Sequence, residues 1–198
     1  MAPRAYKLRR RADTAAATAL RIIDAAAEVY RERGVAGSSI GAIAERGDVS
    51  RGTVLHHFGG ADGLLEAVLD HVLATIEVPD ERVLASGASE EERIHQFVDA
   101  MVRFYERSNS WWEVFRRDLE LPLIQAKEQG FWASFERLRG AAIGEMAADR
   151  LVAATVGALV HPGTLWTFRE AGLSLEETID VMADLIVDLV RRRKEVAE

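Results

Sequence analysis

Apolar residues recur along almost the whole chain at the three- and four-residue spacing of amphipathic helices, and no run alternates long enough to predict a strand. In the first periodic stretch, Ile22, Ala26 and Val29–Tyr30 fall on one face, and Gly34 follows as a stop signal. We therefore predict an all-α protein of about nine helices. The predicted spans are Thr14–Arg33, Ser39–Arg46, Ser50–His57, 60–77, 89–107, 110–119, 122–146, 149–170 and Leu175–Lys194.

Polar residues stand where these helices should begin, and they predict how each helix is capped. Ser174 and Glu177 have the spacing of a capping box. The other predicted caps are Asp13 or Thr14, Ser38 or Ser39, Ser50 and Ser89. Within the predicted helix 149–170, Pro162 should introduce a kink, and Gln129-Gly130 is a point where helix 122–146 could be interrupted.

The stretch VSRGTVLHHFGGADGLL, residues 49–65, places a helix of about seven residues directly before a Gly-Gly break. A helix this short has little stability of its own. Together with the preceding short helix and the turn 47–49, it matches a DNA-binding helix-turn-helix, in which the second helix enters the major groove. Val54 and Phe58 would anchor that helix to the rest of the domain.

Several polar residues of this motif have side chains suited to phosphates or base edges. Arg51 can bind guanine in a bidentate way, and Gly52 would let the helix approach the DNA closely. The predicted DNA contacts are Ser39, Ser50, Arg51, Gly52, Thr53, His56 and His57, together with Arg9, Arg10 and Arg11 of a basic arm. The alternative interpretation of these positions is a solvated helix face and a merely soluble tail.

The composition limits the classes of protein that fit. The 198 residues are 48% hydrophobic, which suffices for one compact domain or two small ones. The absence of cysteine excludes a disulfide scaffold, a thiolate metal site and a cysteine nucleophile. No apolar run approaches a membrane span, and the basic N-terminus lacks the apolar core of a secretory signal. We therefore expect a soluble cytoplasmic protein without a membrane partner.

Charge is distributed unevenly along the chain, whose formal net charge is -7. Residues 1–57 contain 10 basic and 6 acidic residues, whereas residues 58–198 contain 15 basic and 26 acidic residues. The N-terminal part is therefore net basic and the remainder strongly acidic. This asymmetry indicates that one end of the molecule meets a polyanion.

Residues 14–65 resemble the N-terminal DNA-binding domain of the TetR family of transcriptional regulators. The matching segments are IIDAAAEVYRERG, SSIGAIAERG and VSRGTVLHHFGGADGLLEAVL. The resemblance implies a helix-turn-helix domain at 14–60 after a flexible arm at 1–13, and a ligand-binding and dimerisation domain at 61–198. It further implies a homodimer formed through the last two long helices. Such a dimer would repress transcription from a near-palindromic double-stranded operator until a small-molecule effector releases it.

Three positions depart from the family pattern. Asp48 replaces the glycine usual in the turn, Leu55 replaces a tyrosine that touches the phosphate backbone, and Ala61 replaces a phosphate-binding lysine. Each lost contact should weaken DNA binding and flatten its salt dependence. The basic arm would compensate. The alternative function is therefore a ligand-binding protein of the same fold with weak or lost DNA binding.

The C-terminal part is rich in large aromatic residues, most of which should form the core. A subset is predicted to line a cavity for a bulky apolar ligand, with a few polar groups to orient it. The predicted ligand-binding residues are Phe104, Trp112, Phe131 and Trp166, with Arg103 or His161 as the polar partner. His161 could equally cap the backbone that Pro162 interrupts.

A helical enzyme is the other rival. It would need a nucleophile, an acid–base pair or a metal cluster, and none stands out, because the five histidines have no carboxylate at motif spacing. His56 and His57 are adjacent on a helix and so point in different directions, which argues against a metal pair. We therefore predict no catalytic residues, no metal and no cofactor.

Overall fold

The computed structural model describes residues 3–197, and these residues form nine α-helices and no strand. The all-α fold class is confirmed. The helices are α1 Pro3–Arg33, α2 Ile40–Arg46, α3 Arg51–Phe58, α4 Ala61–Ile76, α5 Glu90–Arg117, α6 Pro122–Ile143, α7 Arg150–Leu159, α8 Pro162–Glu170 and α9 Leu175–Ala197. Short 3-10 turns lie at Glu81–Val83 and Gly144–Ala148.

The chain divides into two compact units. The head unit comprises the residues up to Thr75 together with Ser110–Glu128, and the body unit comprises Ile76–Asn109 with the residues from Gln129 onward. Helices α5 and α6 therefore contribute residues to both units. The domain boundaries expected at residues 13 and 60 remain predictions.

The core of the head unit is built from the apolar faces that the periodicity predicts. Ile22, Ala26, Val29 and Tyr30 of α1 are buried, and α1 contacts both α2 and α3. From α2 and α3, the buried side chains are Ile43, Ala44 and Val54, and from α4 they include Leu64, Leu65, Val68, Leu69 and Val72. Helix α3, with eight residues, is thus held by packing rather than by its own propensity.

The first helix begins at Pro3 rather than at Thr14, so the arm predicted to be flexible is helical from that point. The prediction that Asp13 or Thr14 caps the helix is wrong. Thr14 lies inside α1, where its Oγ1 donates a 2.8 Å hydrogen bond to the carbonyl of Arg10. Proline suits the first position of a helix because no N–H is needed there, and the Arg, Lys, Leu and Ala residues that follow are strong helix formers.

The helices predicted at 89–107 and 110–119 are one continuous helix, α5. The two predicted helices are separated at the polar residues 107–110, but Ser108 is buried and its Oγ donates a 3.4 Å hydrogen bond to the carbonyl of Tyr105. Such back-bonding lets a serine sit inside a helix. The buried face continues from Tyr105 to Trp111 and Val114, so packing overrides the weak local propensity.

The predicted helix 149–170 is two helices rather than one kinked helix. His161 is the N-cap of α8 and Pro162 occupies its first turn, and α7 and α8 are bent by 51°. Because proline lacks the N–H that a continuing helix would use, it starts a new helix here. Helix α6, in contrast, runs through Gln129-Gly130 without interruption and ends at Ile143, before the predicted Met146.

Helices α7, α8 and α9 contact one another within the body unit. The predicted capping box at the start of α9 is confirmed, since Ser174 N donates to Glu177 and Glu177 N donates to Ser174 Oγ. Among the described residues, no single helix is long and apolar enough to cross a membrane; the bent pair α7–α8 meets both criteria only when its two helices are taken together.

Candidate nucleic-acid interface

The turn between α2 and α3 ends α2 with a residue in the left-handed conformation. Asp48 has a φ of 49°, a conformation that aspartate tolerates better than most residues. Its N–H donates to the carbonyl of Glu45 at 3.2 Å, and Val49 N–H donates to that of Ala44 at 2.9 Å. These two bonds form a Schellman motif, which fixes the direction in which the chain leaves α2 and enters α3.

The predicted N-cap of α3 is confirmed. Ser50 Oγ accepts a 3.0 Å hydrogen bond from Thr53 N, and the Ser50 and Thr53 hydroxyl oxygens lie 2.8 Å apart. Both hydroxyls are therefore held together at the start of α3. Ser50 is exposed and Thr53 is half-buried.

One face of α3 is open to solvent. Arg51, Gly52, Leu55 and His56 are exposed, whereas Val54 is fully buried on the opposite side. The spacing of the four exposed residues places them side by side along one face of the helix. The remaining members of the predicted set, His57 and the anchor Phe58, are half-buried, and the rings of His56 and His57 are 5.8 Å apart at a steep angle.

The Arg51 guanidinium lies against the first turn of α2. A Cβ at Gly41 would be 2.5 Å from Arg51 Nη2 and 2.8 Å from its Nε. Only glycine leaves this space free, so Gly41 permits the position that Arg51 adopts. Sequence reasoning missed Gly41, because a glycine inside a short helix carries no chemical group to single it out.

The start of α2 presents a second capping serine. Ser39 is exposed and its Oγ accepts a 3.2 Å hydrogen bond from Ala42 N, while Ser38 Oγ instead donates to the carbonyl of Gly34 at 2.6 Å. Of the two predicted capping residues, Ser38 and Ser39, it is therefore Ser39 that caps α2. The exposed starts of α2 and α3 each combine a serine hydroxyl with the N–H groups of a first helical turn, an arrangement that suits phosphate oxygens.

A buried carboxylate fixes the loop that precedes α2. Asp118, 5% exposed, accepts hydrogen bonds from Val35 N at 2.8 Å and from Ala36 N at 3.2 Å. Gly34 has a φ of 76°, and a Cβ there would lie 3.0 Å from Asp118 Oδ2. Sequence reasoning missed this residue, although an acidic side chain near the C-terminal end of a helix, where the dipole disfavours it, was an available signal.

Electrostatic contacts tie α1 to α2 at the edge of this surface. Arg46 Nη1 lies 2.9 Å from both Glu28 Oε2 and Glu32 Oε1. The hydrogen bond from Arg46 holds the pKa of Glu32 below its ordinary value. Of the predicted basic arm, Arg10 is exposed, and the side chains of Arg9 and Arg11 lie outside the described residues.

In the body unit, two of the predicted ligand-binding residues pack on each other. The rings of Phe104 and Phe131 stack with centroids 5.3 Å apart and an interplanar angle of 17°. They belong to a continuous series of neighbouring rings on α5 and α6, which we call the aromatic row. Its members, in spatial order, are Phe97, Phe135, Trp132, Phe131, Phe104 and Tyr105.

The predicted polar partners of the ligand, Arg103 and His161, have polar contacts of their own. Arg103 forms ion pairs with Asp99 at 2.7 Å and with Glu176 at 2.8 Å. His161 Nδ1 accepts a hydrogen bond from Gly163 N at 3.1 Å, as expected of a capping residue. Trp166 is half-buried, and Trp112 belongs to the head unit.

Arg103 lies in a surface groove of about 690 Å³ within the body unit. Its lining includes the charged residues Asp80, Arg82, Asp99 and Arg107. None of the aromatic candidates lines it. Among the described residues, no group of three His, Asp or Glu side chains is placed to hold a metal ion.

Comparisons with known proteins bear on the same segment. Residues 22–68, which include α2 and α3, match the family described as bacterial regulatory proteins, tetR family. The HTH-type transcriptional regulator BetI of Paraburkholderia phytofirmans is 35% identical over 80 residues, 40% of this chain and 41% of that protein. The chain thus matches about two fifths of the length of this curated relative.

Solved structures resemble the fold over most of its length. A TetR-like transcriptional regulator from Rhodococcus sp. RHA1 has a TM-score of 0.58 at 17% identity, covering 85% of this chain and 93% of that one. FadR from Bacillus subtilis, solved in complex with stearoyl-CoA, has a TM-score of 0.59 at 19% identity, covering 85% and 97%. At these identities the likeness concerns the fold alone.

Two short helices joined by a tight turn, with the second exposing one face, define a helix-turn-helix protein. The family match falls on the same residues. Residues 22–68 of the chain thus match the tetR family of bacterial regulatory proteins, and the chain is similar over 80 residues to a transcriptional regulator.

Proposed function

We propose that this chain is a transcriptional regulator that binds double-stranded DNA by placing α3 in the major groove. The exposed face of α3 carries this proposal, because Arg51 and Gly52 stand open to solvent directly after the capping hydroxyl of Ser50. The major groove, about 12 Å wide, admits a helix of this size, and N-terminal residues of the helix contact the bases.

The individual roles follow from side-chain chemistry and position. Arg51 would bind guanine, and Thr53 would reach a base edge or a phosphate. Ser39, Ser50, His56 and His57 would contact the phosphate backbone, as would the basic residues Arg9, Arg10 and Arg11. Asp118 supports these contacts indirectly, because it fixes the loop that leads to Ser39.

We further propose a homodimer formed by the α7–α8 pair and α9, as the family resemblance implies. Leu151 on α7 and Val181 and Leu185 on α9 are exposed apolar residues in the body unit, and Val181 and Leu185 are one turn apart. Apolar surface of this kind suits a self-complementary contact between two copies. Sedimentation equilibrium of the full chain tests it, with twice the mass of 21.9 kDa as the expected result.

The regulator would act as a repressor released by a small, largely apolar ligand bound in the body unit. FadR, which shares the fold, was solved with stearoyl-CoA. Phe131 and Trp132 of the aromatic row are half-exposed, so this part of the row is the place where an apolar ligand could enter. A ligand that favours a conformation unable to bind the operator would shift the population away from DNA.

A specific observation also favours the alternative, a ligand-binding protein with weak DNA affinity. Asp48 is exposed in the turn beside the start of α3, and its charge would repel phosphates. Ala61 and Leu55 add no group that can hydrogen-bond to a phosphate. DNA affinity separates the two functions.

The experiment is selection of bound duplexes from a random pool by the full chain, with the selected duplexes re-measured at two salt concentrations. We expect a near-palindromic site whose sequence preference is lost in Arg51→Ala. Arg116→Ala is the matched control, because it also removes one exposed arginine from the head unit, outside the helix-turn-helix. The proposed function is contradicted if no duplex is enriched. It is also contradicted if the selected duplexes are not bound at either salt concentration.

A further inference from the structure

The exposed face of α3 contains one large apolar side chain. Leu55 is 47% exposed, whereas Val54, the adjacent residue, is completely buried. Among the described side chains of α1–α4, Leu20 on α1 is the one other leucine with comparable exposure, at 50%. Leu55 therefore leaves nearly half of its surface open to solvent on this face.

Its position on α3 places it within the surface proposed to enter the groove. Leu55 lies one helical turn after Arg51, a rise of about 5–6 Å, and on the same exposed face. Side chains of a helix lean towards its N-terminus, so the Leu55 side chain leans towards Arg51 and Gly52. Because Gly52 has no side chain to cover it, the isobutyl group remains open from that side.

We propose that Leu55 is a specificity-determining residue that recognises the C5-methyl group of thymine in the major groove. This proposal rests on the proposed function. A leucine can neither donate to a phosphate nor pair with a polar base edge, and the thymine methyl is the apolar group that the major groove offers. Arg51 and Leu55 together would then select a guanine and a nearby thymine in each half-site.

Deoxyuridine tests the proposal directly, because it differs from thymidine only by lacking this methyl group. The best duplex from the selection is prepared with each thymine of the half-site replaced in turn by deoxyuridine, together with its symmetry mate. Dissociation constants are measured at one salt concentration for the unmodified protein, Leu55→Ala and Leu20→Ala. Leu20→Ala is the matched control, since it truncates an equally exposed leucine outside the helix-turn-helix.

We expect one thymine per half-site at which deoxyuridine weakens binding by about fourfold per half-site, the value of burying one methyl group. Leu55→Ala should bind the thymine duplex more weakly and should no longer distinguish the two duplexes. Leu20→Ala should behave like the unmodified protein.

Two results would overturn the proposal while leaving the proposed function intact: equal binding of every deoxyuridine duplex, or discrimination that persists in Leu55→Ala. If the full chain binds no duplex at all, the proposed function fails and this inference fails with it. The circular dichroism of Leu55→Ala is recorded alongside, so that a folding defect is not mistaken for a loss of recognition.

Discussion

In the head unit, three of the residues proposed to contact DNA, Arg51, Gly52 and Leu55, are exposed on α3. In the body unit, Phe104, which is proposed to contact a ligand, is 5% exposed and stacks on Phe131. This difference in exposure predicts that truncating a side chain has different effects on binding and on stability in the two units. Substitutions of the exposed residues of α3 should change DNA binding with little effect on stability, whereas truncating a buried ring of the aromatic row should lower stability.

The largest expected effect is that of Phe104→Ala. Truncating a buried aromatic side chain removes its transfer free energy and leaves a cavity, so we expect the free energy of unfolding to fall by about 3–5 kcal/mol. Urea denaturation measures this loss, and Leu55→Ala should change the same quantity by less than about 0.5 kcal/mol. If Phe104→Ala lowers the free energy of unfolding by less than about 1 kcal/mol, the aromatic row is packed loosely. A ligand could then occupy the place of the ring.

Asp118 is an exception to this contrast. It belongs to the head unit and supports the proposed DNA contacts, but it is buried, so its removal should lower stability. In Asp118→Ala, the N–H groups of Val35 and Ala36 lose their acceptor, and we expect a loss of about 2–3 kcal/mol. Asp118→Asn retains one acceptor oxygen and should lose less. Hydrogen exchange of the Val35 and Ala36 amides localises the change, and unaltered exchange at both amides in Asp118→Ala would show that the carboxylate does not hold the loop.

The two units also differ in how much their sequence reveals. The caps Ser39 and Ser50 and the buried faces of α1 and α4 follow from short-range patterns, and the structure confirms them. Helix α5 was predicted as two helices, because the burial that carries it through Ser108 comes from tertiary packing. The bond from Asp118 to a loop more than 80 residues away is invisible to any local pattern.

In the proposed DNA-binding site, too, some features follow from the sequence and others appear only in the structure. The motif around α3 predicts an exposed face, because the spacing on a short helix fixes its face, and Arg51, Gly52 and His56 are exposed there. The space that Gly41 leaves for Arg51 depends on the approach of two helices, so it appears only in the structure. In the body unit, composition singled out the aromatic residues, but the stacking of Phe104 on Phe131 depends on how α5 and α6 pack and appears only in the structure.

Ser50 allows capping and DNA contact to be separated within one residue. Ser50→Ala removes the cap and should cost about 1 kcal/mol of stability, whereas Ser50→Gly should cost only a few tenths. Both variants lack the hydroxyl. If the hydroxyl contacts a phosphate, both should bind the selected duplex more weakly and to a similar extent. Weaker binding in Ser50→Ala alone would instead assign the effect to the helix cap.

The smallest expected effect is the pH dependence of the contact between α1 and α2. Arg46 lowers the pKa of Glu32 from its ordinary 4.5, so the stabilisation is fully present above that value. It is lost as the pH falls through the lower pKa of the folded protein, because protonated Glu32 no longer attracts Arg46.

The difference in urea midpoint between the unmodified protein and Arg46→Met should therefore be present at pH 7 and shrink below pH 4.5. It should also shrink at high salt, because both side chains are partly exposed. A difference that stays constant from pH 7 to pH 3 would show that Arg46 acts through the packing of its apolar stem. In that case the edge of the head unit would resemble the body unit, with packing rather than charge maintaining its geometry.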